Sequence, residues 1–235
     1  MPNDSREKIL RRIREALSVK APARHLVHTE NRGHPGETGS TIVPATGWLP
    51  PVPDSPIGLL ALFEKNSLDL KTDVRRCTDA AAVVSELAAL ALENRWQSVG
   101  SHHFALGNEA VSALGLPVVF TDQPYETAAL ERCDAGVSGC ECLVAQTGGI
   151  LVTSASAGGR VLSVLPPHHV VIASACQMVG DLSDAFDVLR KTHESPPAFA
   201  SFITGPSRTG DIERILVLGA HGPKKLTVIL ITNQP

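Results

Sequence analysis

The chain has 235 residues, enough for one large domain or two small ones, and 43% of them are hydrophobic, as in folded globular proteins. A net charge of −3 and an aromatic content of 4% argue against nucleic acid as a partner, since the chain offers little attraction to phosphates and few rings for stacking. No apolar run approaches the roughly 18 residues that cross a bilayer, and no signal-peptide core follows the polar N-terminus. We therefore expect a cytoplasmic protein without a membrane span.

The first 56 residues divide into a basic helix and a linker. Residues 4–18 carry apolar side chains at helical spacing, with arginines and lysines on the other faces. Two interpretations stay open for this helix, a solvated helix that docks by its apolar stripe or a basic arm that binds an acidic partner. Residues 20–56 are rich in proline and glycine, which predicts an extended linker. The predicted organisation is thus a helix at 1–19, a linker at 20–56 and an α/β domain at 57–235.

Helix and strand patterns alternate from residue 57 onward. Helices are predicted at 57–65, 78–93, 108–114, 125–132 and 181–191. Strands are predicted at 73–77, 98–100, 118–120, 142–145, 149–153, 161–165, 170–173, 199–203, 215–218 and 226–231. This alternation favours a parallel sheet with both faces covered.

Two loops of small residues each contain one arginine. In 146–160, QTGGILVTSASAGGR, a Thr-Gly-Gly turn predicts a hairpin, and a Ser- and Gly-rich loop then ends at Arg160. In 204–213, TGPSRTGDIE, Arg208 lies among glycine and hydroxyl residues ahead of Asp211. Freed backbone N–H groups, hydroxyls and a guanidinium suit phosphate or carboxylate, so each segment is either an ordinary connection or an anion cradle. Asp211 either caps a helical turn or pairs with Arg208.

Two pairs of adjacent histidines are candidates for ligand contact. His168 and His169 begin a predicted strand, where neighbouring side chains face opposite sides, so only one of them can point into a given pocket. Each is either a structural hydrogen-bonding group or a ligand contact and general base. His102 and His103 follow another predicted strand, at the end where open α/β sheets usually bind ligands.

The cysteines do not form a recognisable metal or cluster motif. They lie at 77, 133, 140, 142 and 176. Cys140 and Cys142 would share one face of a strand, but no nearby pair completes the four ligands of a zinc site, and no cysteine-rich run suits an iron–sulfur cluster. We expect neither a metal nor a cofactor in this chain.

Three segments in this order resemble the LUD domain of the lactate utilisation protein C family. They are SGCECLVAQTGGILVTSASAGGRVLSVLPPHHVVI at 138–172, ITGPSRTGDIERILVLGAHGP at 203–223 and LTVILI at 226–231. The resemblance implies an α/β fold with a Rossmann-like three-layer α/β/α core, similar to the ribose-5-phosphate isomerase, glucosamine-6-phosphate deaminase and CoA-transferase group. It also implies a role in oxidising L-lactate to pyruvate beside partner subunits that carry iron–sulfur clusters, with this chain as the cluster-free component.

The family motif also suggests which residues bind and react. The residues implied to bind a small anionic metabolite are Thr147, Gly148, Arg160, Gly205, Ser207, Arg208, Thr209 and Asp211, and His169 is the candidate catalytic base. Gln146 stands where members usually have a carboxylate, and Gly149 stands where they usually have threonine. An amide cannot ionise, so proton transfer at the first of these positions is in doubt.

The sequence leads to one testable geometry and three functional hypotheses. The geometry is a hollow at the carboxyl edge of the sheet where Arg160, Arg208 and His169 meet around one anion. The first hypothesis is a component of an L-lactate-oxidising system. The second is a stand-alone enzyme acting on a phosphorylated or CoA-linked metabolite. The third is a non-catalytic assembly subunit that binds through its basic helix.

Overall fold

A computed structural model describes residues 11–12, 14–15, 51–209, 217–218 and 222–233. Residues 11–12 and 14–15 are helical, but the rest of the predicted N-terminal helix and most of the predicted linker lie outside the described residues. Asp211 and the helical turn expected around it also lie outside them.

The described helices and strands follow the predicted alternation closely. The helices are α1 (Pro56–Asp69), α2 (Ala80–Asn94), α3 (Asn108–Ala113), α4 (Thr127–Glu131) and α5 (Leu182–Thr192). The strands are β1 (Asp73–Cys77), β2 (Val99–Ser101), β3 (Val118–Phe120), β4 (Ala135–Ser138), β5 (Cys142–Val144), β6 (Gly149–Thr153), β7 (His168–Ser174), β8 (Met178–Val179), β9 (Ala200–Ile203), β10 (Arg208–Thr209), β11 (Val217–Leu218) and β12 (Lys225–Ile231).

The longer helices begin where the sequence supplies capping side chains. The Asp79 carboxylate accepts a hydrogen bond from the Ala82 amide at the start of α2. At the start of α5, the side chains of Asp181 and Asp184 each accept from the other's backbone amide. Such caps satisfy amides that have no partner within the helix, which explains why these starts could be placed from sequence.

Six parallel strands form the central sheet, in the order β1-β12-β7-β4-β2-β3. All seven residues of β7 are buried, as expected for a strand with neighbours on both edges and layers on both faces. On one face, Leu87 and Leu90 of α2 belong to the same core cluster as Val170 and Ile229. The α/β fold with a mostly parallel sheet is therefore confirmed, while the likeness to the isomerase and transferase group stays a prediction.

A second sheet that was not predicted covers part of the other face. Its strands are ordered β8-β5-β6-β9, and its core is the antiparallel hairpin of β5 and β6 expected from the Thr-Gly-Gly turn. Ile150 of β6 packs toward Val171 of the central sheet, whereas Leu151 packs toward Ala185 of α5. The hairpin is thus enclosed between the central sheet and α5, so all of β6 is buried.

The strand predicted at residues 161–165 is wrong, since these residues form turns. The amides of Val164 and Leu165 both donate to the Val161 carbonyl. Leu162 is fully buried in a cluster with Leu130 of α4, so its apolar character reflects packing rather than pairing. The segment enters β7, and both edges of β7 are already occupied, by β4 and β12.

Candidate functional site

A cavity of about 520 Å³ lies at the amino ends of β1, β7 and β12, and we call it the amino-edge cavity. The first residue of each of these strands lines it, namely Asp73, His168 and Lys225. The remaining lining residues are Lys71, Arg75, Leu90, Glu93, Asn94, Pro206, Arg208, Lys224, Leu226 and Thr227. The cavity thus combines several cations with one histidine, and its volume lies within the range of about 300–1,000 Å³ typical of ligand pockets.

Arg208 reaches this cavity because its loop packs on the end of α1. Arg208 Nη2 donates to the Leu70 carbonyl at 3.1 Å, and this carbonyl belongs to the C-cap of α1. Gly205 has φ +96°, and a Cβ at this position would lie 2.5 Å from the same carbonyl oxygen. Only glycine fits such a close, left-handed approach. A cation at a helix C-terminus also interacts favourably with the helix dipole.

The carboxylates near the cavity are held by Arg75. Its guanidinium contacts Asp73 at 2.8 Å, Glu86 at 2.8 Å and Glu93 at 3.0 Å. Lys225 Nζ donates instead to the neutral Asn94 side chain at 2.6 Å. Among the described residues, the ion pairs do not include Lys71, Arg208, Lys224 or Lys225. Within the described part of the chain, the cavity therefore offers cationic groups without carboxylate partners, which suits an anion.

His168 supplies a neutral imidazole in the cavity wall. It is 5% exposed, its Nε2 lies 2.8 Å from Thr227 Oγ1, and Trp96 meets its ring edge-on at 5.4 Å. Its Nδ1 is buried without a hydrogen-bond partner among the described residues. Burial, helped by the positive charge of Lys225, lowers the pKa of His168 to about 4. The ring is thus uncharged at neutral pH and can exchange a hydrogen bond with a ligand.

His169 faces the opposite side of β7, as the alternation of the strand requires. It is 1% exposed, and its Nε2 lies 2.9 Å from Ser138 Oγ. Burial and the neighbouring His168 lower the pKa of His169 to about 3. The prediction that only one of the two histidines can face a given pocket is confirmed, but it is His168 that lies beside Arg208.

Several predicted binding residues gather around the last turn of α1. Asn66 Nδ2 donates to the carbonyls of Ala145 and Gln146 at 2.9 Å each, which fixes the β5–β6 turn. Gly148 in this turn has φ +62°, and a Cβ there would lie 2.8 Å from backbone atoms of α1. Gly148 therefore docks the hairpin on the same helix end that Gly205 and Arg208 approach, and binding by Thr147, Gly148 and Gly205 stays a prediction.

The end of the second arginine loop is only partly described. The Ser207 amide donates to the Pro223 carbonyl at 2.9 Å, which ties this loop to the segment that enters β12. Thr209 pairs with Val217 in the β10–β11 ladder. Binding by Ser207, Thr209 and Asp211 stays a prediction.

Arg160 is not part of this group. Arg160 Nη2 donates to the Ala198 carbonyl at 2.8 Å, just before β9 begins, whereas Arg208 follows the end of β9. The Arg160 guanidinium thus contacts the segment that enters β9, the Arg208 guanidinium contacts the end of α1, and His169 is buried between the two sheets. The predicted hollow shared by Arg160, His169 and Arg208 is wrong for this reason. The Arg208 loop also lies at the amino edge of the central sheet, not at its carboxyl edge.

A second, smaller cavity of about 190 Å³ lies at the carboxyl ends of β2, β4 and β7, and we call it the carboxyl-edge cavity. His102 and His103 line it, as their position after β2 predicted. His103 Nδ1 lies 2.6 Å from Asp122 Oδ2. The serine- and glycine-rich loop that follows β6 covers this cavity, with Ala155 and Ser156 in its wall.

In the part of the chain that the structure describes, no group of three or more His, Cys, Asp or Glu side chains is placed to hold a metal ion. The five cysteines are free thiols. No described helix is both long and apolar enough to cross a membrane.

Comparison with known proteins places the chain in a family. The LUD domain family model matches residues 60–231. The chain is 29% identical to "Uncharacterized protein NMB1437" of Neisseria meningitidis serogroup B, over 60% of this chain and 61% of that protein. It is 35% identical to Lactate utilization protein C of Anoxybacillus flavithermus, over 45% and 47% of the two chains, and 32% identical to the protein of that name from Bacillus subtilis, over 44% and 45%.

The alignments thus span between about half and three fifths of the length of these relatives. A crystal structure of a DUF162 family protein from Deinococcus radiodurans has a similar fold. It superposes with a TM-score of 0.61 at 24% identity, over 76% of this chain and 99% of the other. Because the family model covers most of the sequence, from residue 60 to residue 231, the chain belongs to the LUD domain family.

Proposed function

We propose that this chain acts in the utilisation of L-lactate and binds a small anionic metabolite in the amino-edge cavity. The observation that carries the proposal is the set of cations there that have no carboxylate partner among the described residues, with Arg208 at its side. Relatives named Lactate utilization protein C, at 31–35% identity, support the metabolic context.

Within this proposal, the binding roles follow from the chemistry of a hydroxy acid. The planar guanidinium of Arg208 and the ammonium groups of Lys224 and Lys225 interact with the carboxylate. The neutral imidazole of His168, whose Nδ1 has no hydrogen-bond partner among the residues that the structure describes, accepts a hydrogen bond from the hydroxyl group. These contacts fix both functional groups of the ligand.

The oxidation itself needs an electron acceptor. Conversion of L-lactate to pyruvate removes two electrons and two protons from the substrate. We assign the electrons to iron–sulfur clusters on partner subunits, and anion binding to this chain. The purified chain alone, incubated with lactate and a redox dye, should then leave the dye oxidised; dye reduction would contradict this division of roles.

The size of the cavity favours a second candidate. At about 520 Å³ it exceeds what lactate, one of the smallest hydroxy acids, would fill. A phosphorylated or CoA-linked metabolite would occupy more of it and would still place its anionic group on Arg208 and the lysines. This alternative makes the chain an enzyme or binding protein for the larger ligand.

Calorimetric titration of the full chain separates the two candidates. L-lactate, pyruvate, a sugar phosphate and CoA are titrated in turn, and the ligand that binds most tightly at physiological salt identifies the class. In Arg208→Gln, binding should weaken by about 10- to 100-fold, since a hydrogen bond to a charged group contributes about 1.5–3 kcal/mol.

Arg160→Gln is the matched control, because its guanidinium contacts the far end of β9 and its loss should leave the affinity unchanged. Thermal melting of both variants verifies that they are folded. The proposal fails if Arg208→Gln binds as tightly as the unaltered chain, or if both variants weaken binding equally.

A further inference from the structure

The carboxyl-edge cavity occupies a position in the fold where ligands bind. β2 and β4 are adjacent in the central sheet, but the chain continues from them in opposite directions. The next strand of this sheet after β2 is β3, at one side, and the next after β4 is β7, at the other side. In open α/β sheets the crevice at such a reversal is the usual binding site. His102 follows β2 and Gly139 follows β4, and both line the cavity. Nothing in the proposed anion site uses these residues.

The imidazole of His102, in the wall of this cavity, has a buried nitrogen without a hydrogen-bond partner among the described residues. The side chain is 5% exposed, and its Nε2 makes no hydrogen bond within the described part of the chain. Burial lowers the pKa of His102, and a hydrogen bond from the ring to the Ser156 backbone opposes that effect. A neutral imidazole that donates through Nδ1 leaves a lone pair on Nε2, so Nε2 is an acceptor.

The ring is held firmly in this orientation. Phe104 stacks on it with ring centroids 4.8 Å apart and planes 15° apart. On the loop side, Gly158 has φ +60°, and a Cβ there would lie 2.6 Å from His102 Cβ. The loop after β6 therefore packs directly on the histidine, which explains its need for small residues at this point.

The other walls indicate an uncharged ligand. The side chains of Phe104, Ala105, Leu106 and Ile172 are apolar, and the lining includes no lysine or arginine. Burial raises the pKa of the Cys140 thiol, so this group stays neutral. The titratable His103 in the lining is already paired with Asp122, so a carboxylate or phosphate would find no unpaired cation among the lining residues. The volume of about 190 Å³ corresponds to about six water-sized groups, at about 30 Å³ each.

We propose that the carboxyl-edge cavity is a second binding site, which takes a small uncharged molecule with a hydroxyl or amide donor. Its donor group hydrogen-bonds to His102 Nε2, and its carbon skeleton lies against Phe104 and Ile172. The site is separate from the amino-edge cavity, because the two lie at opposite ends of β7, and it differs from that cavity in the charge of its ligand.

Nuclear magnetic resonance of the full chain with ¹⁵N-labelled histidine tests this directly. The His102 signals should show a protonated Nδ1 and an unprotonated Nε2. The probes are lactamide and L-lactate, which share a skeleton and a hydroxyl group but differ in charge. Lactamide should shift the His102 Nε2 resonance saturably, whereas L-lactate should not.

Two variants and one control keep the test decisive. His102→Asn retains an amide nitrogen near the place of Nδ1 but removes the Nε2 acceptor, and it should weaken lactamide binding at least about fivefold. Gly139→Ala leaves His102 intact but adds a methyl group 3.3 Å from Phe104 in the cavity wall, and it should also weaken binding. Leu92→Ala, at an exposed position of α2 that lines neither cavity, should leave lactamide binding unchanged.

A failure of this proposal can be distinguished from a failure of the proposed anion binding in the amino-edge cavity. A His102 ring protonated on Nε2, the absence of a saturable shift with lactamide, or an equal shift with L-lactate would each overturn the proposal. If either cavity variant fails to fold, the tautomer and the two titrations of the unaltered chain still decide. A shift of His168 by L-lactate reports on the amino-edge cavity alone.

Discussion

The buried His169 should make the fold sensitive to mild acid. Its pKa is lowered to about 3 in the folded chain, whereas an unfolded histidine has a pKa of about 6.5. Between these values the unfolded state binds the proton and the folded state does not. Stability is therefore complete above about pH 6.5 and declines as the pH falls toward 3.

The size of the effect follows from the two pKa values. At pH 5 the unfolded imidazole is almost fully protonated, which favours unfolding by about 2 kcal/mol relative to pH 7.5. In His169→Gln the amide can still meet Ser138 Oγ but does not titrate. The drop in unfolding free energy from pH 7.5 to pH 5 should thus be about 2 kcal/mol smaller in the variant than in the unaltered chain, whatever the variant's stability at pH 7.5.

Urea denaturation at the two pH values measures this difference. Val171→Ala is the matched control, because Val171 lies on the same strand and face and carries no titratable group. Its loss of stability between the two pH values should equal that of the unaltered chain. If His169→Gln loses as much stability at pH 5 as the unaltered chain does, His169 titrates from an accessible position and the burial argument is refuted.

Three further substitutions test the packing around the site, each by chemical denaturation. Asn66→Ala should lower the unfolding free energy by about 1–3 kcal/mol, because two carbonyls of the hairpin turn lose their donor; an unchanged value would show that the turn does not depend on it. Gly205→Ala should destabilise more than Gly115→Ala, since both glycines have positive φ but only the first lacks space for a Cβ; equal losses would contradict the clash. Leu151→Ala should lower the unfolding free energy by about 2–5 kcal/mol, and the exposed Leu92→Ala should lower it by less than about 0.5 kcal/mol. A reversal of that order would disprove the enclosed position of β6.

The sequence predicted the elements of the fold better than their pairing. The capping carboxylates of Asp79 and Asp181 mark helix starts, and the predicted strands at 73–77, 118–120 and 149–153 have the observed bounds. The second sheet could not be recognised in the same way. Its hairpin is buried on both faces, so its residues show the same continuous apolar pattern as a strand of the central sheet.

The composition of the candidate site was easier to predict than its geometry. Arginine in a glycine-rich loop predicts either an ordinary connection or an anion cradle; the structure shows that Arg208 approaches the carbonyl end of α1, and anion binding stays a prediction. Linear order does not show which element each arginine contacts, so the sequence motif alone cannot reveal that Arg160 contacts the segment before β9 while Arg208 contacts the end of α1. Strand alternation showed that His168 and His169 diverge, but only the tertiary packing determines which of them meets the cavity.

β7 begins at the amino-edge cavity with His168 and passes the carboxyl-edge cavity at Ile172. Four residues of extended chain span about 13 Å, far more than the roughly 3–3.5 Å at which reacting atoms must meet. Ligands bound in the two cavities are therefore too far apart to react, and neither can transfer a hydride or a proton directly to the other. Coupling between the two bound ligands would therefore require a conformational change of the protein, measurable as a change in the affinity of one ligand when the other is present.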